Sequence, residues 1–349
     1  MTSNTFTPLT LRGMTAKNRI AMSPMLMYAA GDDGKMTDKL FVHYGARAIG
    51  GIGMIVTEVL AVEPRGRISA SDLGIWSDDQ VEGLRRMVEF AHSCDVRVVA
   101  QLAHAGRKSH ILGSQTAPSD IPFDSNLGKP SAMTHGDMVD VIAAYGAATR
   151  RAEAAGFDAV QVHAANGYLL HEYLAPIANA REDEYGGSME NRFRFPLEVV
   201  AAVRKALSID KPLLYRMCAD DILDGGVTQE ESLELARRLK EAGIDLIDVT
   251  TGNIVPGTYK GPVYPGYQVR YAEAVRNHTG VRTCTTGSIT SLELIEEILG
   301  ARRVDLVCLG RELMRNPFWA IEAARSAGIK LDLPMPTYAR GTGPFERGF

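Results

Sequence analysis

His163-Ala-Ala-Asn166-Gly-Tyr168 carries the densest chemistry in this chain. Imidazole and carboxamide N–H groups can both donate to one oxygen, and a phenol keeps its proton at neutral pH. Two donors and one weak acid suit a reaction that polarises a carbonyl and protonates a carbon beside it. The same six residues would also serve as an ordinary polar loop between a strand and a helix. They follow a short apolar run, Ala159-Val-Gln-Val162, which places the three side chains just past a strand end.

Stepping outward, apolar and β-branched runs predict strands at residues 19–23, 52–59, 96–102, 159–163, 213–217, 245–250, 281–286 and 304–309. Continuous apolar runs fit strands buried on both faces of a parallel sheet. Amphipathic patterns predict helices at 78–94, 137–155, 189–207, 228–242, 292–299 and 312–326. Thr228 and Thr290 read as N-caps, and Gly156 and Gly243 as helix stops. Repeated β-then-α units predict an α/β fold, a (β/α)8 TIM barrel, as a single domain over residues 1–349. Residues 1–18 are expected to form a hairpin closing the barrel floor. Residues 105–136, rich in Pro, Ser and Gly, form a long capping insertion after strand three, a length that usually serves a function.

In this architecture the active site lies at the C-terminal strand ends. Strand one delivers Ser23-Pro24-Met25-Leu26-Met27-Tyr28, and strand two Thr57-Glu58-Val59. Strand three delivers Gln101 and His104, strand four His163, Asn166 and Tyr168, and strand five Arg216. Strand six delivers Thr250-Thr-Gly252, strand seven Gly287-Ser288, and strand eight Gly310-Arg311. Glycines after strands seven and eight, each opening a helix, offer backbone N–H groups to an anion. Arg311 adds a charged fork. Gln101 can donate and accept, as the pyrimidine edge of a flavin requires, or it can cap a strand end. Arg216 can stabilise negative charge on a reduced flavin, or pair with Asp220 or Asp221. Together these groups describe a phosphate-bearing, electron-accepting ring across the barrel mouth, and FMN fits that description.

Composition narrows the class. A net charge of -4 without a basic block argues against nucleic acid and anionic membranes. No apolar run approaches the roughly 20 residues that span a bilayer. Residues 1–6 have neither the basic start nor the apolar core of an export signal, so a cytoplasmic location is expected. Cys94, Cys218, Cys284 and Cys308 form no C-x-x-C pair, and no metal is expected.

Ordered landmarks run through nearly the whole chain. They include Lys17-Asn-Arg-Ile20, Ser23-Pro-Met25, Gly66-Arg-Ile68, Asp72-Leu-Gly-Ile-Trp76 and Gln101-Leu-Ala-His-Ala-Gly-Arg-Lys108. Ala117-Pro-Ser119, His163 to Tyr168, Asp183-Glu-Tyr-Gly-Gly-Ser188, Glu190-Asn-Arg192, Gly310-Arg-Glu-Leu313 and Asn316-Pro317 follow. In these the chain resembles the old yellow enzymes, FMN-dependent ene-reductases, and most of all their thermophilic-like bacterial branch. The resemblance implies non-covalent FMN held by Ser23, Pro24, Met25, Leu26, Val59, Gln101, Arg216, Gly287, Ser288, Gly310 and Arg311, with NADPH or NADH as reductant. It implies an α,β-unsaturated carbonyl substrate whose oxygen is bound by His163 and Asn166 and whose α-carbon is protonated by Tyr168. Tyr28 and Lys108 would line the same pocket. An FMN enzyme specialised for oxidation or demethylation, or a flavin-binding redox sensor, are the competing readings.

The chain departs from that branch at two positions. Leu26 stands where the branch usually has a cysteine, and Asn166 where it commonly has a second histidine. The resemblance also implies a homo-oligomer, dimer or tetramer, with Arg347 and Phe349, or Arg340, near a neighbouring site.

Overall fold

The structure is a computed structural model that describes residues 3–111, 113–257, 261–335 and 337–338. The chain opens with a hairpin, β1 (Leu9–Leu11) and β2 (Met14–Ala16), paired antiparallel. The strands β3 (Ile20–Met22), β4 (Met54–Ala61) and β5 (Arg97–Ala103) follow. A two-residue parallel pair, β6 (Thr116–Ala117) and β7 (Ser131–Ala132), lies within the insertion. Then come β8 (Ala159–Ala164), β9 (Leu213–Cys218), β10 (Leu246–Thr250), β11 (Arg282–Thr285) and β12 (Leu306–Leu309). All but the hairpin and the small pair close into one barrel, in the order β3-β4-β5-β8-β9-β10-β11-β12, every pairing parallel. This is the expected (β/α)8 barrel.

The helices are α1 (Asp38–Ile49), α2 (Val81–Ser93), α3 (His135–Ala154), α4 (Leu169–Leu174) and α5 (Met189–Ala206). They continue as α6 (Gln229–Glu241), α7 (Val269–Thr279), α8 (Leu292–Gly300), α9 (Arg311–Arg315) and α10 (Trp319–Ser326). The sequence reading lacked α1, α4 and α7. Helix α1 buries His43 and Arg47, whose polarity blurs its apolar face. Arg47 donates to the carbonyl oxygens of Leu313 and His43. The expected helix at 312–326 is two helices, because Pro317 supplies no N–H between them. The cap expected at Thr290 is Ser291, whose hydroxyl accepts from Leu294 N–H. Thr228 caps α6 as expected, in a reciprocal capping box with Glu231.

Leu9, Leu11, Met14 and Ala16 pack with Ala21, Met54, Val56, Val99, Leu214 and Leu246. The hairpin thus closes the floor beneath the barrel lumen. A larger apolar cluster fills the space between barrel and helices. Among the described residues, no helix is long and apolar enough to cross a membrane.

Candidate active site

The strand ends bring the expected residues to one mouth. The turn after β8 is tightly built: Asn166 and Gly167 both take left-handed backbone, φ 57° and 75°. A side chain at Gly167 would meet the Asn253 carbonyl oxygen, so glycine is required there. The turn is tied on two sides. Lys108 Nζ donates to Asn166 O at 2.8 Å, and Gly167 N–H donates to His171 Nδ1 at 2.9 Å. With Nδ1 accepting, the His171 proton sits on Nε2, 3.1 Å from Asp221 Oδ2.

His163 and Tyr168 face each other edge-on, ring centroids 5.3 Å apart. His163 is buried and its Nδ1 has no partner within the protein. Burial, then the positive charge of Arg216, holds its imidazole well below its ordinary range, so it is neutral. Burial, with Tyr28 and Asp72 adding, pushes the Tyr168 phenol up, so it stays protonated. Lys108 lies 4.9 Å above the Tyr168 ring, and burial pushes its ammonium down to about 8. Tyr28 sits at the rim, 56% exposed, in left-handed backbone. Leu26 and Tyr168 pack together against Val59, Ile68, Ala103 and Ala105.

Gln101 and Arg216 are buried on β5 and β9, the strands that flank β8, and Arg216 stands level with His163 in register. Arg216 pairs with Asp248 at 2.9 Å rather than with Asp220 or Asp221. The carboxylate on the neighbouring strand stands level with it in register, whereas the other two lie past the strand end. Gln101 is more than a strand cap: its Nε2 donates to Gln161 Oε1 at 2.6 Å.

Beyond β11 and β12 a cleft of about 430 Å³ opens, lined by Met25, Gln268, Gly287, Ser288, Gly310 and Arg311 among others. Gly287 (φ 124°) and Ser288 (φ 54°) turn the backbone through conformations that side chains rarely take. Among the described residues, Gly287 and Ser288 N–H groups donate to no other backbone group, and Arg311 has no ion-pair partner. These free donors and one free cation suit an anion such as phosphate. Arg216 Nε and Gln268 Oε1 are buried without partners. A flat, hydrogen-bonding ring with a phosphate tail fits these residues.

Some contributors were not expected from the sequence. Gln268, Thr286 and Ile289 line the phosphate-sized cleft. Gln161, Asp248, His171 and Asp221 hold the site residues from behind. The legible signal was a polar residue inside a buried strand, as in Val160-Gln-Val162 and Ile247-Asp-Val249. Arg340, Arg347 and Phe349 lie outside the described residues.

Comparison with known proteins agrees with this geometry. The model of the NADH:flavin oxidoreductase / NADH oxidase family matches residues 4–328. An NADPH dehydrogenase of Geobacillus thermodenitrificans is 47% identical over 96% of this chain and 98% of its own. Morphinone reductase superposes with a TM-score of 0.81 at 29% identity, covering 97% of this chain and 93% of its own. The old yellow enzyme homologue of Zymomonas mobilis does so with a TM-score of 0.77 at 26% identity, covering 95% and 94%. A barrel mouth shaped for a phosphate-bearing ring and a match over nearly the whole chain lead to one assignment: the chain belongs to the NADH:flavin oxidoreductase / NADH oxidase family, the old yellow enzymes, and is an oxidoreductase that works with FMN and takes its electrons from NAD(P)H.

Proposed function

We propose that this enzyme is an ene-reductase that reduces the activated C=C bond of α,β-unsaturated carbonyl compounds. The observation that carries the reading is the turn after β8. It presents a buried, unpartnered His163 Nδ1 and a protonated Tyr168 on one wall. When bound, FMN supplies the hydride acceptor and donor between NAD(P)H and the substrate β-carbon.

The chain's own residues do the rest. Gln101 and Arg216 border the ring's polar edge. Ser23, Pro24, Met25, Leu26 and Val59 pack along it, and Gly287, Ser288, Gly310 and Arg311 hold the phosphate. His163 and Asn166 donate to the substrate carbonyl oxygen. The Asn166 carboxamide makes no hydrogen bond to the described residues, so it is free to do so. A neutral histidine donates without first losing a proton to the substrate. Tyr168 O–H then delivers its proton to the α-carbon. Its upward-shifted acidity keeps that proton in place until a strong carbon base develops. Lys108 and Tyr28 bound the pocket from the insertion and the rim.

Asparagine cannot carry a positive charge, so phenol binding should depend less on pH between 5 and 8 than it would with a histidine at position 166. The proposal includes a cytoplasmic homo-oligomer, dimer or tetramer, with Arg340, or Arg347 and Phe349, reaching a neighbouring site. Sedimentation of the full chain and of a chain ending at residue 338 tests that part.

The central test is anaerobic. The enzyme is reduced with NADPH, mixed with 2-cyclohexenone, and its flavin absorbance followed. Rapid return of the oxidised spectrum is expected; a flavin that reduces and stays bleached would refute an ene-reductase.

A further inference from the structure

The barrel lumen holds a polar layer in which Gln161 and Asp248, to which the proposed reaction gives no part, back the two residues assigned to the ring's polar edge. Gln101 Nε2 donates to Gln161 Oε1 at 2.6 Å, and Gln161 Nε2 donates to Asp248 Oδ2 at 3.3 Å. Arg216 Nη1 donates to the same Asp248 oxygen at 2.9 Å. These residues lie on four successive strands, β5, β8, β9 and β10, and all are buried. The two residues assigned to the polar edge of the ring therefore meet at one carboxylate. Behind it, the Cys284 and Cys308 sulfurs lie within 4.8 Å of an Asp248 oxygen and of each other. Burial, then the hydrogen bond with Cys308 and the charge of Asp248, keep Cys284 a thiol. Among the described residues, Asp248 Oδ1 has no hydrogen-bond partner, and Arg216 is the cation that pairs with Asp248.

We infer that Asp248 is a positioning residue that sets the electron affinity of the bound flavin, by offsetting the charge that Arg216 presents to it. The inference rests on the proposed placement of Arg216 and Gln101 against the ring. An arginine alone at that edge would favour the reduced, anionic ring. A carboxylate paired with the guanidinium opposes this, and both groups are buried, where charges are screened less than in water. The same carboxylate removes the penalty of an unpaired buried cation. Its hydrogen bond to Arg216 Nη1 also anchors the guanidinium, while Arg216 Nε has no partner among the described residues. Through Gln161 it orients the Gln101 amide, with Nε2 turned down and the carbonyl oxygen left for other partners. The pair thus holds the flavin at a potential from which hydride still leaves readily.

The test is a redox titration of the FMN-loaded enzyme. Asp248→Asn keeps the shape and removes the charge. The expected result is a rise in potential corresponding to at least a tenfold gain in preference for reduced over oxidised FMN, about 30 mV for a two-electron couple. An unchanged or lower potential would overturn the inference. Should Asp248→Asn fail to retain FMN, Cys284→Ser puts a stronger donor beside the carboxylate. A smaller rise is then expected, and no rise overturns the inference. Arg216→Met distinguishes the two layers of argument. A fall in its potential with no change for Asp248→Asn removes only the role of Asp248. No change in either variant removes the placement of Arg216 against the ring as well.

Discussion

At the scale of single residues, the proposed mechanism separates proton delivery from carbonyl activation. Among the described residues, Tyr168 is the phenol that stays protonated and faces His163 across 5.3 Å. Tyr168→Phe should leave reduction of the flavin by NADPH intact and slow its reoxidation by cyclohexenone by about 10²–10⁴-fold, the usual worth of a positioned acid. Stopped-flow traces of the two half-reactions check this directly. His163→Ala should slow the same half-reaction through a lost donor to developing oxyanion charge, about 2.7–4 kcal/mol. It should also weaken binding of phenols that mimic the enolate, and a titration followed by flavin absorbance reads that effect. If both half-reactions slow equally in either variant, the division of roles is wrong.

At the scale of elements, the turn between β8 and α4 matters most. Two consecutive left-handed residues do not hold themselves. Lys108 from the insertion and His171 from α4 pin the turn from two directions. His171→Leu should keep the fold yet loosen Asn166 and Tyr168. Reoxidation by substrate should fall tenfold or more, with reduction by NADPH barely changed; equal loss in both would show a general structural role. The same elements explain what the sequence made legible. Most barrel strands are largely apolar runs, so their number and order could be read, to within about two residues at each end. Helix α1 was hidden because His43 and Arg47 are buried on it. Helix α4 is six residues long, too short for periodicity to register. The residues proposed to touch a ligand could be nominated because strand ends expose unusual side chains. Gln161 and Asp248 were not weighed, because their use depends on which strand neighbours which. The partner of Arg216 was missed for the same reason: Asp220 and Asp221 are near in sequence, and Asp248 is near in register.

At the scale of the whole molecule, buried ionisable groups make stability depend on pH. Glu58 lies beneath the Met25–Met27 segment, accepting from Met27 N–H and from the Tyr44 hydroxyl. Burial, with Asp72 adding, pushes its carboxyl from 4.5 up to about 7. The folded state therefore holds this proton more tightly than the unfolded chain. Its stabilisation is complete below pH 4.5 and is lost as pH rises through about 7. Glu58→Gln should flatten that decline, seen as a smaller difference between urea midpoints at pH 5 and pH 8; an unaltered difference would rule Glu58 out as its source. The distribution of sulfur matters on the same scale. All four cysteines are free and buried, and position 26, beside Tyr168, holds leucine. Enones are soft electrophiles that alkylate accessible thiolates, so an enzyme that concentrates them at its mouth risks inactivating itself. This chain offers them no exposed thiol, and burial holds Cys218 and Cys284 as thiols. Prolonged exposure to excess cyclohexenone should leave all four sulfurs unmodified by mass spectrometry until the protein is unfolded. Leu26→Cys should introduce a single site of covalent attack and shift the flavin potential, turning a durable catalyst into one with a finite number of turnovers.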